Sequence, residues 1–328
     1  MSKITVLIPC YNEQAVIRQL WERLLAVING ISGCTFEVLF VNDGSGDDTI
    51  HIIKELAQSN PRISYLDLSR NFGKELAMIA GLDYATGDAV IIMDADLQHP
   101  PEMIPEMIGF WQQGYDDVCA KRRKRIGEPF LRRWAANTFY RCLQKISTIK
   151  IQENVGDFRL LDRRCVEAIK LMRESQRYTK GLFSWVGYTK KEILFDSVER
   201  AAGETKWGLL GLINLAIEGI TSFTTLPLRL SSVVGVIVSF FAFAYMAVII
   251  FNTLMFGDPV QGYPTLISVI LFLGGIQLIF LGIIGEYLGR VFNETKRRPL
   301  YLVNEYNGKR VLYREGMCRV RDDGVKDD

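Results

Sequence analysis

Apolar residues fall into two alternating rhythms over the first hundred positions. Ile4-Thr5-Val6-Leu7-Ile8 is a short, β-branched run closed by Pro9, and it reads as a buried strand. From Glu13 to Ile28, residues Val16, Leu20, Leu24 and Val27 recur at helical spacing. The alternation then repeats: a strand over Phe36 to Val41, a helix over Asp47 to Gln58, and a strand over Ile63 to Leu68. A helix over Lys74 to Tyr84 stops near Gly87, and a strand over Ala89 to Met93 ends directly on Asp94. Strands and helices that alternate over such short connections predict a parallel sheet with helices on both faces. Ligands bind such a sheet at the carboxyl ends of its strands. Three of the expected strand ends carry polar, turn-forming residues: Pro9-Cys10-Tyr11-Asn12-Glu13, Asn42-Asp43-Gly44-Ser45 and Asp94-Ala95-Asp96.

Residues 114–223 mix the two rhythms. They contain a basic run, Lys121 to Arg125, and a stretch from Phe130 to Ile146 in which Phe130, Leu131, Trp134, Phe139 and Leu143 stand among arginines and a lysine. That stretch reads as a basic amphipathic helix at a membrane surface or as an ordinary surface helix. The last third changes in kind. No charged residue occurs between Arg229 and Asp258, nor between Asp258 and Glu286. Each stretch exceeds the roughly 20 residues that cross a bilayer as a helix. A turn at Gly257-Asp258-Pro259 to Gly262-Tyr263-Pro264 separates them. Arg229 precedes the first stretch, while Arg290, Lys296, Arg297 and Arg298 follow the second, so both ends are expected on the cytoplasmic side. The expected division is a cytoplasmic domain over 1–228, a two-helix membrane hairpin over 229–290 and a cytoplasmic tail over 291–328, charged and loosely ordered from Asn304 on. Gly274-Gly275 and the glycines from Gly282 to Gly289 offer small-residue faces on which the protein could self-associate.

Composition agrees with this split. Of the 328 residues, 48% are hydrophobic, and mean hydropathy is +0.11, above the range usual for a wholly soluble α/β protein. A net charge of +2 argues against a nucleic-acid partner, which needs a pronounced basic face. The six cysteines are scattered without a Cys-x-x-Cys pair, as expected of thiols in a reducing compartment. The N-terminus runs from Met1 straight into the first strand, too short a lead for a signal peptide.

Asp94-Ala95-Asp96 is the main candidate for chemistry. Two carboxylates just past a strand end can approach one hard cation, and Mg²⁺ or Mn²⁺ takes one or two carboxylates together with substrate phosphate oxygens. Such an ion stabilises charge on a leaving diphosphate. A turn with two solvated aspartates would carry the same letters. Asp43 could accept hydrogen bonds from a nucleobase or ribose, or cap the following helix. Gly44-Ser45-Gly46 lacks a third glycine, and Asp47 and Asp48 would repel a pyrophosphate, so no dinucleotide site is expected. There is no P-loop. His51 and His99 lack partners for a metal site or a triad and are read as solvated or supporting groups.

Ile8-Pro9-Cys10-Tyr11-Asn12-Glu13, Val41-Asn42-Asp43-Gly44-Ser45 and Asp94-Ala95-Asp96-Leu97-Gln98-His99-Pro100-Pro101 resemble, in order and spacing, the family 2 glycosyltransferases with the GT-A fold. The resemblance extends through Gly156-Asp157-Phe158-Arg159-Leu160 and Arg200 to Trp207 to the two apolar stretches. It covers nearly the whole chain and is closest to the polyisoprenyl-phosphate glycosyltransferases. The resemblance implies a Rossmann-like nucleotide-diphospho-sugar transferase domain followed by two C-terminal transmembrane helices. It implies that Pro9, Tyr11, Glu13 and Asp43 hold the uridine. Asp94 and Asp96 would flank the diphosphate and the metal, Mg²⁺ or Mn²⁺, with Gln98 close by. Asp157 would lie at the reacting centre, as a base or as a group orienting sugar or metal. Arg200 and Lys206 would contact the diphosphate or the lipid phosphate, which suits cationic side chains just ahead of a membrane span. No Gln-x-x-Arg-Trp motif occurs, which disfavours a processive polysaccharide synthase. The implied reaction is inverting transfer of a hexose to undecaprenyl phosphate at the bacterial inner membrane, with UDP-glucose as donor and O-antigen or another surface glycan as destination. Mannose, N-acetylhexosamine and aminoarabinose are the alternative sugars. A transport or flippase subunit is the alternative class, disfavoured by the lack of intramembrane charge before Glu286.

Overall fold

The computed structural model describes residues 1–123, 155–174, 179–195, 226–256, 262–314 and 317–320. The first part of the chain builds the strands and helices that the apolar rhythm predicts. They are β1 (Ser2–Cys10), α1 (Ile17–Asn29), β2 (Cys34–Asn42), α2 (Thr49–Ser59), β3 (Ile63–Leu68), α3 (Lys74–Tyr84) and β4 (Ala89–Ile92). Side chains alternate across β1. Ile4, Val6 and Ile8 face one core with α1 and α2, while Leu7 faces the other with α3. Helix α1 turns Ile17, Leu20, Trp21, Leu24 and Ile28 inward, so its buried stripe follows the helical period. Helix α3 buries Ala77, Met78, Ile79, Ala80 and Leu82 and lies close on the sheet at Gly81, where an added Cβ would sit 2.0 Å from Leu7 Cδ1.

A short 3₁₀ turn and α4 (Ile104–Gln112) lead into β5 (Asp117–Arg122). Strand β6 (Val155–Asp162), α5 (Arg163–Leu171), α6 (Thr179–Trp185) and β7 (Lys190–Phe195) follow. The sheet order is β10-β9-β8-β3-β2-β1-β4-β6-β5-β7. The expected parallel order holds for the first four strands, and later strands make the sheet mixed. β3, β2, β1 and β4 are parallel, but β6 runs antiparallel to both β4 and β5, and β8 runs antiparallel to β3. The reversal at β6 has a local consequence. It brings the Gly156-Asp157 end of β6 to the same sheet edge as the carboxyl end of β4, because Ile92 pairs with Arg159.

The C-terminal residues overturn the expectation of a loosely ordered tail. β8 (Val303–Tyr306), β9 (Lys309–Arg314) and β10 (Met317–Val320) extend the sheet beyond β3. Val303 and Val311 are buried in the α3-side core. Glu305 accepts from Lys54 Nζ at 2.9 Å and from the Tyr65 hydroxyl. Asn307 Oδ1 accepts from the Tyr65 amide at 2.7 Å, and Tyr301 donates to Asp83 Oδ2 at 2.6 Å. The tail looks polar in sequence because its apolar residues are few and its charged ones find partners in the sheet.

Helices α7 (Leu226–Phe256) and α8 (Tyr263–Thr295) form a second unit of their own. They touch each other, and a Cβ on Gly235 would meet Phe280 Cε2 at 3.8 Å. Among the described residues, Phe272–Thr295 alone is long and apolar enough to cross a membrane, and Leu230–Ala242 is a shorter apolar stretch. Two long helices thus stand where two spans are expected, and among the described residues one of them has the length and composition of a span.

Candidate active site

The loops at the carboxyl ends of β1 and β2 are stitched to one another by side chains. Asn12 takes the left-handed conformation, with φ 56°, and its amide donates to Ser45 Oγ at 3.0 Å. Its own Oδ1 accepts from the Gly46 amide at 2.9 Å. The Glu13 amide donates to Thr49 Oγ1 at 2.8 Å, and the Asp48 amide donates to Gln14 Oε1 at 3.0 Å. Tyr11 stands at the rim, 47% exposed. Pro9 is buried inside β1, two residues past the last pairing of that strand with β4 at Leu7 and Ile92.

Asp43 is buried, and its carboxylate holds backbone. Oδ1 accepts from the Phe72 amide at 2.8 Å and Oδ2 from the Gly73 amide at 2.9 Å. Burial raises its pKa above the ordinary aspartate value, against the lowering effect of those two amides and of Arg70. Asp43 thus anchors the loop between β3 and α3, and whatever it gives a ligand comes from its remaining lone pairs. Gly44 must be a glycine for a related reason. Its φ is +63°, and a Cβ there would sit 2.4 Å from the Arg70 carbonyl carbon and 2.6 Å from the Asn71 nitrogen. Gly44→Ala is expected to cost about 2–4 kcal/mol, from left-handed strain and a backbone clash. A thermal melt in detergent would show it, and an unchanged melting temperature would refute the close approach.

The Asp94 loop is held from below by His99. The Asp94 amide donates to His99 Nδ1 at 3.1 Å, which makes that nitrogen an acceptor. The ring is 2% exposed and stacks on Phe158 with centroids 5.0 Å apart, while Phe195 meets it edge-on. His99 is therefore a supporting group, as read from the sequence, but a buried one. Leu97 takes a left-handed φ of 61°, and the Gln98 amide donates to Asp96 Oδ1 at 3.1 Å. Gln98 itself is mostly buried at 9%.

Asp157 joins this loop through a residue that the sequence reading passed over. Lys74 Nζ lies 2.6 Å from Asp94 Oδ1 and 2.6 Å from Asp157 Oδ2. Burial works against the ammonium, but the two carboxylates outweigh it and hold the Lys74 pKa above the ordinary lysine value. The available signal in sequence was its position, first in a helix directly after the β3 loop. Behind Asp157, Arg159 Nη1 pairs with fully buried Asp117 at 3.1 Å, and Nη2 donates to the Gly156 carbonyl at 3.1 Å, which fixes the turn that carries Asp157.

The acidic character of the rim is measurable at Cys10. Its thiol is raised well above the usual value by burial first, then by the charges of Glu13, Asp94 and Asp47. Carboxylates from all three loops thus act on one point. Among the described residues, no group of three or more His, Cys, Asp or Glu side chains gathers to hold a metal by protein ligands alone. Asp94 and Asp96 do fit Mg²⁺ or Mn²⁺ in another sense. They are hard oxygen donors, and the Asp94 carboxylate already holds a cation in the form of the Lys74 ammonium. Arg200, Lys206 and the 130–146 stretch lie outside the described residues.

The chain belongs to glycosyl transferase family 2, whose model matches residues 5–170. Its fold is accordingly the GT-A glycosyltransferase fold on a mixed α/β sheet. Residues 226–291 match the GtrB C-terminal hairpin. The chain is 48% identical to an uncharacterized glycosyltransferase of Synechocystis over 94% of its own length and 97% of that protein's. It is 48% identical to a prophage bactoprenol glucosyl transferase homolog of Escherichia coli and to the bactoprenol glucosyl transferase of Shigella phage SfX. Both of these matches cover 92% of this chain and 98% of the relative.

Proposed function

We propose that the protein transfers glucose from UDP-glucose to undecaprenyl phosphate at the cytoplasmic face of the bacterial inner membrane. The observation that carries this reading is the pairing of an intact acidic strand-end site with a matched C-terminal hairpin in one chain that is 48% identical to bactoprenol glucosyl transferases. Pro9, Tyr11, Glu13 and Asp43 are proposed to hold the uridine. Asp94, Asp96 and Gln98 are proposed to meet the diphosphate. Mg²⁺ or Mn²⁺, held by Asp94 and Asp96 together with donor phosphates, would supply positive charge for the departing diphosphate. The lipid phosphate oxygen attacks the anomeric carbon, the bond from that carbon to the UDP oxygen breaks, and UDP leaves with the electron pair. Configuration at the anomeric carbon inverts. The phosphate nucleophile is already ionised at neutral pH, so Asp157 has little proton to remove and serves to orient the sugar. Arg200 and Lys206 are proposed to receive the lipid phosphate. Holding acceptor and donor side by side makes the step effectively unimolecular.

The reading includes two membrane crossings, and the connectivity supports it. β8 pairs with β3, so the chain before the hairpin and the chain after it share one sheet. A hairpin that leaves and re-enters one folded unit crosses a bilayer an even number of times. Arg290, Lys296, Arg297 and Arg298 at its exit favour the cytoplasmic side.

The test is a donor panel with purified membranes, undecaprenyl phosphate and radiolabelled nucleotide sugars. Label from UDP-glucose is expected in the lipid phase. Label from another donor alone would replace glucose by that sugar, mannose, N-acetylhexosamine or aminoarabinose among them. Unaltered glycolipid synthesis by an Asp96→Ala protein would sink the enzyme reading in favour of a transport subunit.

A further inference from the structure

Lys74 sits in an electrostatically awkward place. It is the first residue of α3, where the helix dipole is positive and a cation is disfavoured. The loop before it is tethered by the Asp43 carboxylate through the Phe72 and Gly73 amides. The side chain then reaches across the sheet edge to bridge Asp94 from the β4 loop and Asp157 from β6, at 2.6 Å to each. Nothing in the needs of the helix explains a lysine here, and two carboxylates from separate elements do. A small divalent cation at Asp94 would meet the ammonium at the same oxygen. Two cations cannot share that oxygen closely unless further negative charge arrives, and a diphosphate brings it.

We propose that Lys74 is the resident counter-cation of the donor site, holding Asp94 and Asp157 together and excluding a divalent cation until a diphosphate binds. The inference rests on the donor-site reading above and adds an order to it: nucleotide and metal enter together, because the Lys74 ammonium already occupies the Asp94 carboxylate. Lys74 is in these terms a positioning residue.

The experiment measures Mn²⁺ binding to the full-length protein in detergent, by the electron paramagnetic resonance of free Mn²⁺, with and without UDP. Wild type is expected to bind Mn²⁺ weakly alone and at least about 10-fold more tightly with UDP, within the usual range of coupling between ligands. Lys74→Met is expected to bind Mn²⁺ about 10-fold more tightly than wild type in the absence of nucleotide, and to lose most of the UDP dependence. Lys74→Arg keeps the charge and is expected to retain the UDP dependence. Should Lys74→Met fail to fold, Lys74→Gln carries the same comparison. Nucleotide-free affinity no tighter in the neutral variant than in wild type would overturn the proposal while leaving the donor site standing. A wild-type protein that takes up no Mn²⁺ even with UDP would remove the donor-site reading and this proposal with it.

Discussion

A protein carrying Asp94→Asn is expected to fold normally and to transfer sugar to lipid phosphate at least about a thousandfold more slowly, the scale on which a lost charge contact at a reacting group is felt. The substitution keeps the shape of the side chain and the backbone amide that donates to His99, so the loop stays in place. It removes the negative charge that faces Lys74 and, with the donor, the diphosphate. The rate is read as label entering the lipid phase, and folding as a thermal melt in detergent. A variant within about tenfold of wild type would show that Asp94 is not at the reacting diphosphate.

The second large effect concerns the end of the chain. A protein ended after Arg298 is expected to lose the cooperative unfolding of its catalytic unit and to become sensitive to protease. It would lack β8, β9 and β10, the buried Val303 and Val311, and the hydrogen bonds to Tyr65 and Asp83. The open edge of β3 would present unpaired backbone groups to solvent or to another chain. A milder variant tests the same dock. The Glu305 carboxyl is pushed up by burial, but the Tyr65 hydroxyl and Lys54 pull harder and hold it below the ordinary glutamate value. A carboxyl lowered in the folded state stabilises above its unfolded value, and that stability is lost as pH falls through the folded one. Glu305→Gln is therefore expected to destabilise by about 1–2 kcal/mol at neutral pH. The gap to wild type should close as the solution is acidified below the glutamate range. A truncated protein with an unchanged melt, or a gap independent of pH, would show that the strand is not docked as described.

The extent to which this fold could be read in advance differs along the chain for physical reasons. β1 to β4 and α1 to α3 were legible because each is a local unit: β1 is a short apolar, β-branched run, and α1 repeats its apolar residues every three to four positions. Asp94 and Asp96 were legible because they follow a fully apolar strand. β6 was not, since nothing in a single strand states which way its neighbour runs, and its reversal is what delivers Asp157. Lys74 was hidden for the same reason. Its partners lie 20 and 83 residues away in sequence, and a lysine at a helix start reads as solvent-facing until those partners are seen. The tail was misread because strands pair through their backbones, and its few apolar residues leave little signature in the sequence. Asp43 was identified as a site residue, but its two amide partners belong to a loop whose approach only the folded chain reveals.

The docking of β8 on β3 has a bearing on how the protein is made. The residues that extend the sheet beyond β3 are made after both helices of the hairpin. Until they are, the catalytic unit waits with one edge of its central sheet open. Completion of the sheet is thus tied in time to synthesis of the hairpin, and a chain stalled before residue 303 would carry that bare edge.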